Sequence, residues 1–162
     1  NAMITVSDND SANTLVGMLG NGDNAAGQEA VNTYCKNNGY TDTSMGRMLL
    51  EKASANENYT SARDCSVFLK NIYENKLEHS EDMLNLLKQQ TRTEKIPKGI
   101  PSGVETANKT GELDHVENDA AIVFDGENPY IICVMADNLS DTTEARQRIV
   151  DISSVVYENI SK

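Results

Sequence analysis

The sequence predicts an α+β domain, and three observations support this fold class. Apolar stripes with helical spacing dominate residues 4–98. The character changes at the segment IPKGIPSG, and residues 99–162 contain three strand-like segments followed by a last amphipathic helix. Helices followed by a run of strands indicate a helical region packed on an antiparallel sheet that the terminal helix covers. We therefore expect one domain with a sizeable core, because 162 residues suit one domain of ordinary size.

Four helices and one long loop are predicted in the helical region. Segments 11–19 and 25–36 have helical spacing, and the GNGDN turn separates them. The periodicity is lost over residues 38–58, which predicts a structured loop with one helical turn at 45–50. The third helix begins after Thr60 or Ser61, either of which can cap it, and Ser80 is expected to cap the fourth. The third helix should bury a stripe of apolar residues, namely Ala62, Cys65, Phe68, Leu69 and Ile72.

The second part of the chain predicts three strands and a helix. The strands are expected over residues 105–111, 120–124 and 130–136, and the hairpin-type turn DGENP joins the last two. Asp141 and Glu144 have the spacing of a capping box, which predicts the start of the terminal helix. The buried face of this helix is predicted from apolar positions three or four residues apart, namely Ala145, Ile149, Ile152, Val156 and Ile160.

Composition argues against several classes of function. The net charge is −11, and an acidic surface repels phosphate backbones, so nucleic-acid binding is not expected. Three widely separated cysteines and two histidines provide neither a disulfide framework nor zinc-ligand spacing, so we expect no metal and no other cofactor. No apolar run is long enough to cross a bilayer. Residues 1–3, Asn-Ala-Met, are typical of the remnant of a cleaved tag and are set aside from the prediction of the fold.

Two short motifs carry the chemistry of this sequence. Ser7-Asp8-Asn9 precedes the first predicted helix, and Lys109-Thr110-Gly111 ends the first predicted strand. In this order and context they resemble motifs of the penicillin-recognising serine hydrolases, and specifically of the class A β-lactamase-like family. The resemblance covers essentially the whole chain. It implies a β-lactamase/transpeptidase-like fold, of which residues 4–162 are expected to form an incomplete, C-terminal part.

The resemblance implies three catalytic groups. Ser7 would relay a proton toward the β-lactam nitrogen as the ring opens, because a hydroxyl both donates and accepts hydrogen bonds. Lys109 would supply a positive charge across the cleft, which biases Ser7 and attracts the carboxylate of the ligand. The backbone N–H of Glu112 would provide one oxyanion donor.

Four further residues would bind the ligand or support the site by the same resemblance. Asn9 would offer its side-chain amide to the acylamino group of the ligand, and Thr110 would hydrogen-bond its carboxylate. Gly111 would let the backbone approach the ligand closely. Asp8 is expected to accept hydrogen bonds that stabilise its loop rather than to act in catalysis.

The sequence departs from the family pattern in its nucleophile. The family places a Ser-x-x-Lys motif well before Ser-Asp-Asn, whereas only six residues precede Ser7 here. The segments 66–69 and 80–83 begin with serine but do not fit the motif. We therefore expect the nucleophile to lie outside this chain, and we expect the chain alone to be inactive.

Two other departures concern deacylation and ligand charge. Arg47 and Asn58 are expected to begin and end an omega-like loop, in which Leu49 takes the position of the deacylating Glu and Asn58 that of an Asp paired with the arginine. Glu51 is close in sequence but has the wrong offset, so we expect it to be a surface carboxylate. No arginine lies between Lys109 and residue 132, where such enzymes often hold a second cation for the ligand carboxylate. This argues against penicillin as the natural ligand.

The resemblance thus predicts a serine hydrolase that forms acyl-enzymes with β-lactams, outside the cell membrane or in the cell envelope. The alternatives are a D-Ala-D-Ala peptidase of the penicillin-binding type and a non-catalytic module that binds cell-wall peptides or a partner. The ligand is expected to be a β-lactam or a D-alanyl peptide. In the resembling fold, N-terminal strands pair with the strand at 130–136, so we also expect self-association through this apolar edge.

Overall fold

A computed structural model describes residues 1–52 and 56–161 of the protein. Within these residues the chain forms helices α1 to α6, one 3-10 helix, η1, and strands β1 to β3. In chain order they are α1 (Ala2–Thr5), α2 (Asn9–Leu19), α3 (Asn24–Asn37), α4 (Ala62–Tyr73), α5 (Ser80–Lys88), η1 (Ile96–Gly99), β1 (Glu105–Leu113), β2 (Val116–Phe124), β3 (Tyr130–Ala136) and α6 (Thr142–Ile160).

The three strands form one antiparallel sheet in the order β1-β2-β3. Lys109 of β1 lies opposite Ala120 of β2, which lies opposite Cys133 of β3. Helices α4 and α5 cover one face of the sheet through a core that includes Leu69 and Leu87. Helix α6 and η1 cover the other face, where the core consists of Ile96, Ile100, Ala121, Val123, Ile132 and Ile149. The predicted α+β architecture is confirmed.

Strands β1 and β2 extend further than predicted. Strand β1 continues to Leu113 and β2 already begins at Val116, so that two residues connect them. The sequence pattern missed the start of β2 because Glu117 and Asp119 are polar and yet buried. Both carboxylates take part in the ion pairs and hydrogen bonds described below, which is how a strand can bury them.

Polar side chains begin α4 and α6, as predicted from the sequence. The hydroxyl of Ser61 accepts a hydrogen bond from the N–H of Asp64, and Asp141 caps α6 by accepting from two N–H groups. The prediction for Ser80 was wrong. Its hydroxyl exchanges hydrogen bonds with the N–H and C=O of Leu77, so it closes the preceding turn, and His79 takes the cap position of α5.

The helical turn predicted at 45–50 is absent. A helical turn here would direct the N–H of Leu49 to the C=O of Met45. Instead, the N–H of Leu49 donates to Asn13 Oδ1 at 2.9 Å, and the C=O of Met45 accepts from Asn32 Nδ2 at 3.0 Å. Side chains of α2 and α3 therefore take both partners of the bond that the turn would need.

The buried face of α6 is rotated relative to the prediction. Ala145 and Ile149 are buried as predicted, but Ile152 is 45% exposed and Ser153 is fully buried. The reason is the close approach of η1, because a Cβ atom added to Gly99 would lie 2.8 Å from the Cβ of Ser153. The Ser153 hydroxyl also donates a 2.8 Å hydrogen bond to the C=O of Ile96. A small polar residue fits this contact, whereas an isoleucine does not.

The first residues take part in the fold. Ala2 and Met3, which belong to the segment interpreted from the sequence as a tag remnant, lie in α1. The end of α1 is tied to the residues after α5, because the side chain of Gln90 donates to the C=O of Ile4 at 2.7 Å and the N–H of Thr91 donates to the C=O of Thr5. None of the helices in the described part of the chain is both long and apolar enough to cross a membrane.

Candidate active site

The residues singled out in the sequence meet in one cleft. The cleft has a volume of about 620 Å³ and lies between the start of α2, the loop after residue 46, and β1. It is lined by all nine of these residues, namely Ser7, Asp8, Asn9, Arg47, Asn58, Lys109, Thr110, Gly111 and Glu112. Residues that are far apart in the sequence are therefore neighbours in the fold.

The two motifs are in direct contact. Lys109 Nζ donates a 2.8 Å hydrogen bond to Ser7 Oγ, and it also donates to the C=O of Thr110 at 2.6 Å. The predicted approach of these side chains across the cleft is confirmed. Ser7 has a φ of 60°, in the left-handed region that residues other than glycine adopt at a cost of about 1–3 kcal/mol. Backbone strain of this kind is common at active sites, where the surrounding structure enforces it.

The residue after Ser7 holds the turn in place. The carboxylate of Asp8 accepts a 2.7 Å hydrogen bond from the N–H of Ser11, and the side chain of Ser11 together with this N–H lowers the pKa of Asp8. Its backbone N–H donates to the C=O of Ala2. Asp8 therefore caps α2, and its backbone bond to Ala2 holds the residue next to Ser7 in place.

The position of Lys109 makes its proton easier to release. Burial lowers its pKa, and Arg92 lowers it further, against the opposing effects of Asp119 and Glu112. A lysine of lowered pKa that contacts a hydroxyl can take part in moving a proton to or from it. Ser7 Oγ and Lys109 Nζ are therefore close enough in the cleft for a proton to pass between them.

Behind Lys109, a buried carboxylate connects β1, β2 and η1. Asp119 accepts hydrogen bonds from the Asn108 side chain at 3.0 Å and from the N–H of Ile96 at 2.9 Å. Burial raises the pKa of Asp119 to about 6, although these two hydrogen bonds and Lys95 lower it. Since Asn108 directly precedes Lys109, this network fixes the strand that carries the lysine. Asp119 was not predicted as a site residue, because an isolated carboxylate in a strand has no distinguishing spacing.

The loop that forms another wall of the cleft is closed by Arg47. Its Nε lies 2.9 and 3.0 Å from the two carboxylate oxygens of Glu57, and this contact raises the pKa of Arg47. Asn58 instead accepts hydrogen bonds from the backbone of Gly46 and Arg47. The ion pair that the family pattern places at residue 58 is thus made by its neighbour. Residues 53–55 of this loop lie outside the described residues.

Leu49 presents an aliphatic side chain where the family pattern has a carboxylate. Both its N–H and its C=O are held by the side chain of Asn13, each at 2.9 Å, and Leu49 lines the cleft. The Glu51 carboxylate accepts a hydrogen bond from the N–H of Met48 at 3.1 Å and belongs to an exposed residue at the cleft. Asn13 was missed, although it lies four residues after Asn9 and therefore on the same face of α2.

Cations reach this region from other parts of the chain. Arg92 lines the cleft, and Arg92, Lys95 and Arg146 all lie within ion-pair distance of the Glu112 carboxylate. The absence of an arginine between Lys109 and residue 132 therefore does not leave the neighbourhood without additional positive charge. Among the described residues, no cluster of three His, Cys, Asp or Glu side chains could hold a metal ion.

Comparison with known proteins identifies the family of this chain. It matches the sequence profile described as the beta-lactamase enzyme family over residues 1–160. No curated protein matches it. Among solved structures it is similar to PBP-A, with a TM-score of 0.84 and 26% identity over 97% of this chain and 58% of that chain. A β-lactamase from Sphaerobacter thermophilus DSM 20745 has a TM-score of 0.84 and 25% identity over 98% of this chain and 60% of that one.

An ancestral class A β-lactamase shares the fold. Its TM-score is 0.85 at 23% identity, over 98% of this chain and 63% of the ancestral chain. The present chain thus spans about three-fifths of the length of the solved structures that it matches. The match across residues 1–160 and the two motifs facing each other in one cleft lead to the same conclusion: the chain belongs to the β-lactamase enzyme family.

Proposed function

We propose that this chain is the C-terminal part of a class A serine hydrolase that acts on β-lactams through an acyl-enzyme. The observation that carries the proposal is the 2.8 Å contact between Lys109 Nζ and Ser7 Oγ in a cleft lined by both motifs. Membership of the β-lactamase enzyme family supports it. A solved structure of a mutant of PBP-A, 25% identical to this chain, is an acyl-enzyme complex with penicillin G.

Each cleft residue has a role in this proposal. Ser7 passes a proton to the β-lactam nitrogen when the ring opens, and Lys109 keeps that hydroxyl oriented. The N–H of Glu112 stabilises the oxyanion. Thr110 and Asn9 bind the carboxylate and the acylamino group of the ligand, while the missing Cβ of Gly111 leaves room for it.

The nucleophile is proposed to lie outside these residues. Acyl transfer needs a hydroxyl aimed at the carbonyl carbon, and the chain has no Ser-x-x-Lys before Ser7. The greater length of the matched structures is consistent with a further segment that supplies it. Loss of a catalytic serine lowers kcat by roughly 10⁶-fold in a well-studied protease, so we expect residues 1–162 alone to be inactive.

Deacylation is proposed to be slow. Asn13 fixes the backbone of Leu49 at the cleft, so an aliphatic side chain stands where a carboxylate would activate water. This observation also favours a second candidate, a D-Ala-D-Ala peptidase of the penicillin-binding type. Penicillin would then act as an inhibitor that stays attached.

The test uses the complete protein and intact-mass spectrometry after mixing with benzylpenicillin. We expect one adduct per chain that persists after free penicillin is removed, and no adduct on residues 1–162 alone. The Leu49→Glu variant should shorten the lifetime of the adduct, whereas the matched Leu49→Gln variant should not, because the amide cannot act as a base.

Three other outcomes distinguish the alternatives. Rapid clearance of the adduct with accumulation of product would contradict slow deacylation and would direct attention to Glu51. Release of D-alanine from a D-alanyl peptide, with little turnover of penicillin, would favour the peptidase. Binding of ligand without any adduct would overturn the enzyme proposals and leave the non-catalytic binding module.

Self-association is proposed through β3. This strand is at an edge of the sheet in the described part of the chain, and it carries the apolar sequence YIICVMA. Edge strands with unpaired backbone groups pair readily with other chains. Light scattering across a concentration series should show association that Met135→Lys weakens, and a monomer at every concentration would contradict the proposal.

The site of action is proposed to be outside the cell membrane or in the cell envelope. The support is membership of the β-lactamase enzyme family. Cell fractionation of the complete protein tests this, and recovery only with the cytosolic fraction would contradict it.

A further inference from the structure

The residue directly after the Lys-Thr-Gly motif carries a carboxylate that three cations surround. Glu112 lies 3.2 Å from Lys95 Nζ and 3.6 Å from the nearest guanidinium nitrogens of both Arg92 and Arg146. Arg92 follows α5, Lys95 precedes η1, and Arg146 belongs to α6. The packing of separate elements against β1 thus creates a concentration of positive charge beside the cleft, which we call the cation cluster (Arg92, Lys95 and Arg146).

A second carboxylate belongs to the same cluster but lies deeper. Glu117 is fully buried, at 2.6 Å from Lys95 Nζ and 2.7 Å from Arg146 Nε. Three cations and two carboxylates leave one net positive charge. Removal of the carboxylate of Glu112 would leave two net positive charges. The side chains of Arg92 and Arg146 are 45% and 46% exposed, so an anion from solution could reach them.

The Glu112 carboxylate borders the space that a ligand would enter. Arg92 and Glu112 both line the cleft, together with Thr110 and Gly111. Partial burial raises the pKa of Glu112, but Lys95, Arg146 and Arg92 outweigh this effect and lower it, so the carboxylate is ionised at neutral pH. An anion that approaches the cation cluster from the cleft therefore meets a negative group that already occupies the cations.

We propose that the side chain of Glu112 determines the charge preference of the cleft, by occupying the cation cluster and excluding anionic ligand groups from it. A ligand carboxylate then depends on Lys109 and Thr110 alone, and ligands with no anionic group near the cluster are favoured. This inference rests on the proposed function, which supplies the class of ligand, and it adds a charge preference to that function. The exclusion of anions itself can be measured without any turnover.

The experiment measures the binding of inorganic sulfate to residues 1–162 by calorimetry, at constant ionic strength maintained with chloride. The wild-type chain, with a net charge of −11, should bind sulfate weakly. Glu112→Gln keeps the shape of the side chain and removes its charge, and we expect it to lower the Kd for sulfate at least about tenfold. Adding Arg92→Gln to Glu112→Gln should abolish most of this gain.

The matched control is Glu105→Gln, which makes the same change of charge on the same strand. Glu105 pairs with Lys88 and does not line the cleft. Equal sulfate affinity in the wild type and Glu112→Gln would overturn the proposal, and so would an equal gain in Glu105→Gln. If Glu112→Gln does not fold, as judged by its circular dichroism, Glu112→Ala serves as the second variant with the same expectation.

The outcome is independent of the test of the proposed function. Sulfate binding requires no nucleophile, so its failure would leave the penicillin adduct of the complete protein unaffected. Conversely, the absence of an adduct would not alter the sulfate result. In the complete protein, Glu112→Gln should raise the rate of acylation by benzylpenicillin more than by its uncharged methyl ester. An equal effect on both would overturn the role of Glu112 in charge preference.

Discussion

Asp119 should make the stability of this domain depend on pH between about 4 and 6. Burial raises the pKa of this carboxyl from 3.8 to about 6, against hydrogen bonds from Asn108 and Ile96 that lower it. Between these two pH values the folded chain holds a proton on Asp119 that the unfolded chain has released. The favourable contribution of that proton is complete below the unfolded pKa and is lost as the pH rises through the folded pKa.

The magnitude follows from the difference between the two pKa values. At about 1.4 kcal/mol per unit, the ionised carboxylate should cost about 3 kcal/mol of stability at a pH well above 6. Roughly 2 kcal/mol of this loss should occur between about pH 4.5 and 7.

The test compares the unfolding free energies of the wild type and Asp119→Asn, measured by urea unfolding at about pH 4.5 and at pH 7. Asparagine has one acceptor oxygen for the two donors at this site, so the variant should be less stable at about pH 4.5 by about 1–2 kcal/mol. The difference in unfolding free energy between the wild type and the variant should then narrow by roughly 2 kcal/mol at pH 7, because only the wild type has an ionised carboxylate to bury. Asp114→Asn, in the exposed turn between β1 and β2, is the control and should follow the wild type. A gap that does not change with pH would refute the reasoning.

Three further substitutions test other contacts. Leu50 is 70% exposed and has a φ of 68°, so Leu50→Gly should raise the unfolding free energy by about 0.5–1 kcal/mol. A lower unfolding free energy would mean that the contacts of the Leu50 side chain outweigh the strain of its backbone. Asn13→Ala removes both hydrogen bonds to the Leu49 backbone and should speed amide exchange at Leu49 about tenfold, and unchanged exchange would contradict this anchor. Gly99→Ala should destabilise the domain by about 1–3 kcal/mol in thermal unfolding, because the added methyl group meets the backbone of Val150; an unchanged melting temperature would show that η1 can move away.

Local sequence determined the order and type of most elements. Capping side chains such as Ser61 and Asp141 begin helices through hydrogen bonds to N–H groups a few residues away, so they act over distances that a sequence pattern contains. The strand-like apolar segment at 130–136 likewise predicted β3 with its observed bounds. The two motifs were also identified in the sequence, and the resemblance that they carry predicted the contact of Ser7 with Lys109.

Tertiary packing decided what lies around those motifs. Ser153 rather than Ile152 is buried in α6 because η1 approaches too closely for a large side chain, and nothing local to α6 indicates this. Asp119 is buried in β2 because groups from β1 and η1 satisfy its oxygens.

The cation cluster is another feature around the motifs that the sequence did not predict. The sequence alone determined that no arginine follows Lys109 before residue 132, and it suggested that a second cation would be missing. The fold brings Arg92, Lys95 and Arg146 to Glu112 from separate elements. Charge acts through distance in space, and the spacing of these residues along the chain does not encode that distance. Only the packing of α6 and of the segment after α5 against β1 decided that Glu112 has cations as its neighbours.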